Sequence, residues 1–468
     1  MTCYFSLHRL GLLEALLFVG VTSTLHAQAN TNSGVANSAL GPETLQANRV
    51  LLQNSGVRRS IIPDPETILG HRLLLKAGTH VAAAPRENKT YANIAGEISS
   101  PALNGVAATH RFFVTDLGTL GGTQSFAYAI NDLGQVVGQS LTTGDTSEHS
   151  FLYSNGRMTD LFPINSQDIT TVGPTGINNF GQIASGTIVG GVYSPAILDS
   201  RTGGLILAGT LGGVTSFDFN GVATSINNHA DAVGYSYIDA IRRHAFLYSG
   251  GVLTDIDPLG GFSVAFAINN EGVIVGLASA QFNGTATAFV RSQGVTNEIF
   301  SAGTESDARG VNNRGQVVGE FLTANGTAFL GFLDTEGVIT DIGSPESPQT
   351  TAFAINDQQQ VVGTTFVPFE TTCPDGPCVA FSPHAFFFQS GNLTDLNSLI
   401  PSDSGWELSW AFDINNHGRI VGYGMVNDEF RAFLLTPATS KEQCKDGGWE
   451  NFGFKNQGQC IQFVNTGK

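Results

Sequence analysis

Between Phe112 and Pro437 the chain alternates short apolar runs with turn-forming clusters. The stretch "SFAYAINDLGQVVG", residues 125–138, shows the unit. A β-rich run ends at Asn131, the turn Asn131-Asp132-Leu133-Gly134 follows, and a second run ends at Gly138. Asn and Asp tolerate the left-handed backbone region and Gly enters it without steric cost, so the stretch predicts two antiparallel strands joined by a tight turn. Apolar positions recur with strand spacing and not with the 3.6-residue period of a helix.

The phrase returns seven times, anchored on Asn131, Asn178, Asn227, Asn269, Asn312, Asn356 and Asn415, in steps of 47, 49, 42, 43, 44 and 59 residues. Periods of this length point to a propeller, a solenoid or an array. Each unit holds four strand-like runs, which in the first are "SFAYAIN", "GQVVGQS", "HSFLYS" and "MTDLF". Four strands in about 45 residues is the size of one propeller blade. The last unit stops after "RAFLLTP" without its "TDL" run, and an orphan copy, "FFVTDL", stands at Phe112–Leu117 before the first unit. A closed ring needs such a clasp, because its first and last blades would otherwise expose strand edges. The prediction is an all-β, seven-bladed propeller of four-stranded antiparallel blades, with the last blade closed by the N-terminal strand. The "AIN" strand is then innermost. The short "NDLG" and "SNGR" turns share one face, and the variable loops share the other, where binding is usually placed. One such loop, "TTFVPFETTCPDGPCVAFSP", accounts for the 59-residue step.

The segments outside the repeats differ in character. Arg9, the apolar "LGLLEALLFVGV" and the small residues of "LHAQA" read as a secretory signal over residues 1–29, too short to span a bilayer. Residues 30–110 show no period and read as a flexible or loosely ordered segment. The ring is assigned to 111–437. Residues 438–468 form a small module closed by Cys444 and Cys460, since so short a piece lacks the core to fold alone. Cys373 and Cys378 make a second near pair. Even, locally paired cysteines fit disulfides in an oxidising compartment, secreted or periplasmic. A zinc site is set aside because the Cys373 and Cys378 pair has no partner pair nearby.

Composition narrows the partners. With 22 basic against 39 acidic residues the net charge is −17, which argues against nucleic acid and anionic membrane. No later stretch has the length and apolarity of a membrane helix.

The phrases "HAFLYSGGVLTDID" (244–257) and "HAFFFQSGNLTDLN" (384–397), with the recurring Ile-Asn-x-x-Gly-x-Val-Val-Gly, resemble the HAF family of extracellular bacterial repeat proteins, named for its His-Ala-Phe triplet. The resemblance covers about residues 112–437. It implies export and a repeat-built β fold, and it implies no particular reaction. The C-terminal segment is similar to a short Cys-bearing tail on other exported bacterial proteins. At "SPAIL" (194–198), "TAFVR" (287–291) and "TAFLG" (327–331) another residue replaces the His.

His149, His244 and His384 each precede an Asp by 11 residues: Asp160, Asp255 and Asp395. A tight hairpin sets third and fourth strands side by side, so the reading is a structural pair within each blade, with Arg431 and Asp116 its counterpart in the clasped blade. One Asp per outer strand does not supply a calcium loop. Neither a nucleophile elbow nor a metalloprotease or Walker motif is present, and "GTLGG" (118–122, 209–213) lacks the Lys and helix of a phosphate loop. No metal, cofactor or catalytic residue is assigned. The reading favours a secreted, monomeric, non-catalytic binding or scaffold propeller. Its long-loop face takes an extracellular protein or carbohydrate, with Phe366, Phe369, Trp406 and Trp410 as contacts. The alternative is a propeller lyase or glycosidase acting on polymeric carbohydrate.

Overall fold

The computed structural model describes residues 110–161, 169–189, 192–213, 220–282, 284–300, 304–343, 347, 349–373 and 376–467. The expected signal peptide, the rest of the N-terminal segment and the side chains of Cys373 and Cys378 lie outside the described residues.

Seven four-stranded antiparallel sheets follow one another along the chain. Blade one is Gly121–Ile130, Val136–Thr142, Glu148–Ser154 and Arg157–Asp160; blade two is Ile169–Ile177, Gln182–Val189, Val192–Asp199 and Gly204–Leu207. Blade three is Gly221–Ile226, Ala232–Tyr237, Arg243–Ser249 and Val252–Asp255; blade four is Phe262–Ile268, Ile274–Ser279, Thr287–Ser292 and Val295–Glu298. Blade five is Ser306–Val311, Val317–Leu322, Phe329–Thr335 and Val338–Asp341; blade six is Thr350–Ile355, Val361–Cys373, Gly376–Gln389 and Asn392–Asp395. Blade seven takes Glu407–Ile414, Ile420–Val426 and Glu429–Pro437, and its outer strand is Phe112–Asp116. That strand runs antiparallel to Glu429–Pro437, from Phe112 opposite Pro437 to Asp116 opposite Phe433.

The segment expected to account for the 59-residue step does so, as strand and not as loop. The second and third strands of blade six extend into a long hairpin, and a short 3-10 turn, Leu396–Ser398, follows the outer strand. The chain divides into two compact units. The ring and the C-terminal module belong to one, and the hairpin tip Pro368–Ser382 belongs to the other.

The core is split into wedges between consecutive blades. Leu117, Ala127, Ile130, Val136 and Phe151 meet Val421 and Ala432 between blades one and seven. Val275, Ala288, Ala308, Val317 and Phe332 fill the wedge between blades four and five. The repeat's Gly and Phe have a joint reason. Gly138 lies opposite Phe151, Gly276 opposite Phe289 and Gly422 opposite Phe433. A Cβ at Gly138 would run into the carbonyl oxygen of Phe126 and the ring of Phe151. The Phe ring covers the bare glycine, and the inner strand approaches more closely than any side chain allows.

Beyond Pro437 a 3-10 turn (Lys441–Cys444), a helical turn (Gly448–Asn451) and a helix (Gln457–Thr466) form the C-terminal module, closed by the Cys444–Cys460 disulfide with Cα atoms 5.8 Å apart. Among the described residues no helix is long and apolar enough to cross a membrane.

Candidate binding site on the propeller axis

Each inner strand ends in the repeated Asn, and these seven side chains do more than form turns. Asn131 Nδ2 donates to the carbonyl of Asn178 (2.9 Å), Asn178 to Asn227 (2.9 Å), Asn227 to Asn269 (3.1 Å) and Asn269 to Asn312 (2.7 Å). Asn312 donates to Asn356 (3.0 Å), Asn356 to Asn415 (3.0 Å), and Asn415 returns to Asn131 (2.9 Å). The circuit is closed. The Oδ1 atoms face back into their own turns; that of Asn178 accepts from the amides of Phe180 (3.0 Å) and Gln182 (2.9 Å). Each buried amide side chain is thereby bonded at both ends, as burial requires.

A second belt lies beside the first. The residue after each Asn is Asp132, Asn179, Asn228, Asn270, Asn313, Asp357 or Asn416, and its Oδ1 accepts the backbone amide of its counterpart in the preceding blade. The seven bonds run from Asp132 N to Asn179 Oδ1 (2.9 Å) round to Asn416 N on Asp132 Oδ1 (2.9 Å). Asp132 Oδ2 also receives the side-chain amides of Asn179 (3.1 Å) and Asn416 (3.4 Å), and Asp357 Oδ2 that of Asn313 (2.9 Å). Together with the Ile or Val before each Asn, the belts line a polar cavity of about 190 Å³ on the axis.

Above this floor runs a collar. Six of the inner strands shift register two residues before the strand end, and the extra residue is Tyr128, Thr224, Phe266, Arg309, Phe353 or Phe412. A bulge re-aims its side chain. The Arg309 guanidinium lies 5.5 Å from the ring centre of Phe266 and 5.3 Å from that of Phe353. Phe353 meets Phe412 at 5.2 Å, and Phe412 meets Tyr128 at 5.7 Å. Five consecutive blades thus touch through side chains around the axis. Arg309 is paired twice with the buried Asp307 (3.0 Å each) and more loosely with Glu320 (3.5 Å), which accepts the Thr351 hydroxyl (2.6 Å).

From the collar toward the loop face the aromatic wall continues across blades six, seven and one. Trp410 stacks on Tyr423 (6.3 Å) and reaches Phe353 (5.9 Å) and Phe366 (6.4 Å), while Phe126 meets Tyr423 edge-on (5.0 Å). Of the four contact residues expected from the sequence, the structure brings Phe366 and Trp410 together, but Trp410 is buried and backs the wall instead of facing a ligand. Trp406 instead packs edge-on against Phe433 in the core between blades six and seven. Phe369 is exposed on the hairpin tip, in the other compact unit.

The charged pairs of the third and outer strands lie elsewhere. His149 Nδ1 is 2.8 Å from Asp160 Oδ2, His244 Nδ1 2.8 Å from Asp255 and His384 Nδ1 2.7 Å from Asp395. Arg431 Nε donates to Asp116 Oδ2 at 3.3 Å. In three of these blades the other carboxylate oxygen caps the turn that follows, accepting from the amide of Gly118 (2.8 Å), Asp257 (2.9 Å) or Asn397 (2.9 Å). The His–Asp hydrogen bond raises the His384 pKa against the opposing effect of burial. In blade four the same positions hold Thr287 and Glu298 (3.4 Å). In blade five strand register puts Leu330, not Thr327, at the His position, because Phe332 pairs with Asp341. Among the described residues no group of three or more His, Cys, Asp or Glu is placed to hold a metal.

The sequence reading missed both belts and the collar. A usable signal was present for the belts: every one of the seven turns has Asn or Asp in its second position, a stricter rule than turn geometry demands.

No protein-family model and no curated protein sequence matches the chain. Solved structures similar to it include the β-propeller domain of the Trilobed protease from Pyrococcus furiosus (TM-score 0.43, 10% identity, 67% of this chain and 95% of that one). An oligogalacturonate lyase in complex with manganese is similar at TM-score 0.43 and 10% identity, over 70% of this chain and 96% of that one. TolB from Acinetobacter baumannii is similar at TM-score 0.36 and 11% identity, over 50% of this chain and 63% of its own. The chain therefore spans less than two thirds of that TolB. At these identities the likeness concerns the fold alone.

Proposed function

We propose that this chain is an exported, non-catalytic binding propeller that takes an extracellular carbohydrate or protein ligand at the loop-face mouth of its axial channel. The observation that carries this is the aromatic wall of the half-buried Phe126, Phe353, Phe412 and Tyr423 from three neighbouring blades, with centroid spacings of 5.0–5.8 Å and the buried Trp410 packed behind them. Such a surface offers large, rigid apolar faces at small entropic cost, suited to the apolar face of a sugar ring or to an apolar side chain. The ionisable groups Arg309, Asp307 and Glu320 on the wall are already engaged with one another, which fits binding better than proton transfer. The Cys444–Cys460 disulfide supports an oxidising compartment outside the cytoplasm. A screen of the full chain against glycans, extracellular polymers and cell-surface proteins tests the reading. A ligand whose capture is weakened about tenfold by Phe412→Ala supports it. Cleavage of an offered polymer, or binding untouched by the wall, overturns it.

A further inference from the structure

We infer that the C-terminal disulfide module is a clamp that holds the ring shut at its seam. Blade seven alone takes its outer strand from the far end of the repeat domain, so Phe112–Asp116 is held to Glu429–Pro437 by pairing and packing, with no hairpin joining them. Its side chains alternate. Phe112 and Val114 enter the core between blades six and seven. Phe113 points the other way, outward. Counted back from the Asp that ends each outer strand, or from Glu298 in blade four, its equivalents are Val252, Val295 and Val338, which are 61%, 60% and 67% exposed. Phe113 is wholly buried.

The module makes the difference. Phe452 stacks face to face on Phe113 at 4.0 Å, and Phe454 and Phe463 close round it at 5.9 and 5.8 Å. Cys444 and Cys460 belong to the same buried cluster. Arg111 extends the grip, donating to the Val464 carbonyl at 2.8 Å and accepting from the Ala438 amide at 2.8 Å. The module is therefore covalently continuous with one side of the seam and packed on the other. Its helix is ten residues long and its core is small, so the disulfide, and not burial alone, keeps the aromatic cage assembled.

The test compares the full chain with Cys444→Ser/Cys460→Ser, with a chain ending at Pro437, and with Phe113→Ala. The readouts are the thermal midpoint and the amide exchange of Phe112–Asp116 against Val295–Glu298. The clamp predicts that losing the disulfide or the module lowers the midpoint by about 5 °C or more. It also predicts exchange at least tenfold faster in Phe112–Asp116, with Val295–Glu298 unchanged. Phe113→Ala should add nothing once the module is gone. Unchanged exchange in the Cys variant and the shortened chain overturns the inference, as does equal acceleration in both strands. If the shortened chain does not fold, the Cys variant, which keeps every other residue, decides.

Discussion

Asp413 and Ile130 are 283 residues apart, and the Asp413 carboxylate accepts the Ile130 amide at 2.9 Å across the joint between blades seven and one. The other carboxylate oxygen takes the Ile414 amide at 2.8 Å. Burial, with Asp132 nearby, outweighs these two bonds and raises the Asp413 pKa to about 6. The equivalent residue in blade three is Ser225, whose hydroxyl accepts the Ile268 amide at 3.4 Å.

The sign of the resulting pH dependence follows. The folded pKa lies above the unfolded value of 3.8, so the unfolded chain ionises first as pH rises. Stability is therefore lost between pH 3.8 and about 6. Asp413→Asn should flatten that slope in a denaturant series at pH 3.5–7, and an unchanged slope would refute the assignment.

His384 gives a slope in a higher window. Its hydrogen bond to the Asp395 carboxylate favours the protonated ring, and the folded pKa exceeds 6.5. The stabilisation is complete below the unfolded value and disappears as pH rises through the folded one. Nuclear magnetic resonance titration of the ring should show a midpoint above 6.5, and Asp395→Asn should bring it down.

The Asn circuit predicts unequal costs at adjacent positions. Asn269→Ala strands the amides of Glu271 and Val273 and the carbonyl of Asn312. Buried groups left unpaired cost roughly 1–3 kcal/mol each, so the fold should lose about 2–4 kcal/mol after relaxation. Asn270→Ala removes only the acceptor of the Asn228 amide and should cost about 1 kcal/mol. Urea unfolding of the two variants, side by side, is the measurement.

Gly276→Ala should destabilise although it adds only one methyl. The new carbon would meet the carbonyl oxygen of Val264 and the ring of Phe289. Overpacking of this kind costs about 1–3 kcal/mol. Because the nearest obstacle is the Val264 carbonyl oxygen and not the ring, Phe289→Ala in the same chain should not rescue the loss, which a double-mutant cycle reads directly.

On the aromatic wall, Phe412→Ala should weaken ligand capture about tenfold, the size of one aromatic contact. Phe180→Ala, at an exposed turn on the opposite face, should leave it unchanged.

What the sequence disclosed was local. Strand alternation and Asn-Asp-x-Gly turns are short-range, and the orphan "FFVTDL" run is visible by comparison with its copies. The 11-residue offset from His149 to Asp160 spans one hairpin and can be read inside a single blade. The belts could not be read that way, since the partner of each Asn lies 42 to 59 residues on, or 284 back across the joint. The collar depends on bulges that turn Tyr128 and Phe353 to the axis, against simple alternation. Trp406 and Trp410 are four residues apart and look alike as letters; packing leaves Trp406 half-buried against Phe433 and buries Trp410 behind the aromatic wall. Thr327 was matched to the His position because aligning "TAFLG" with "HAFLY" overlooks the pairing that fixes register.

The Asn circuit has a direction: every side-chain amide points to the following blade and none points back. Its members stand head to tail like the links of a bracelet. Breaking one link leaves a stranded carbonyl in one blade and loosened turn amides in another, so no blade is altered there alone. Chemical novelty can accumulate blade by blade at the loop mouth, while the opposite mouth can only change by agreement between neighbours.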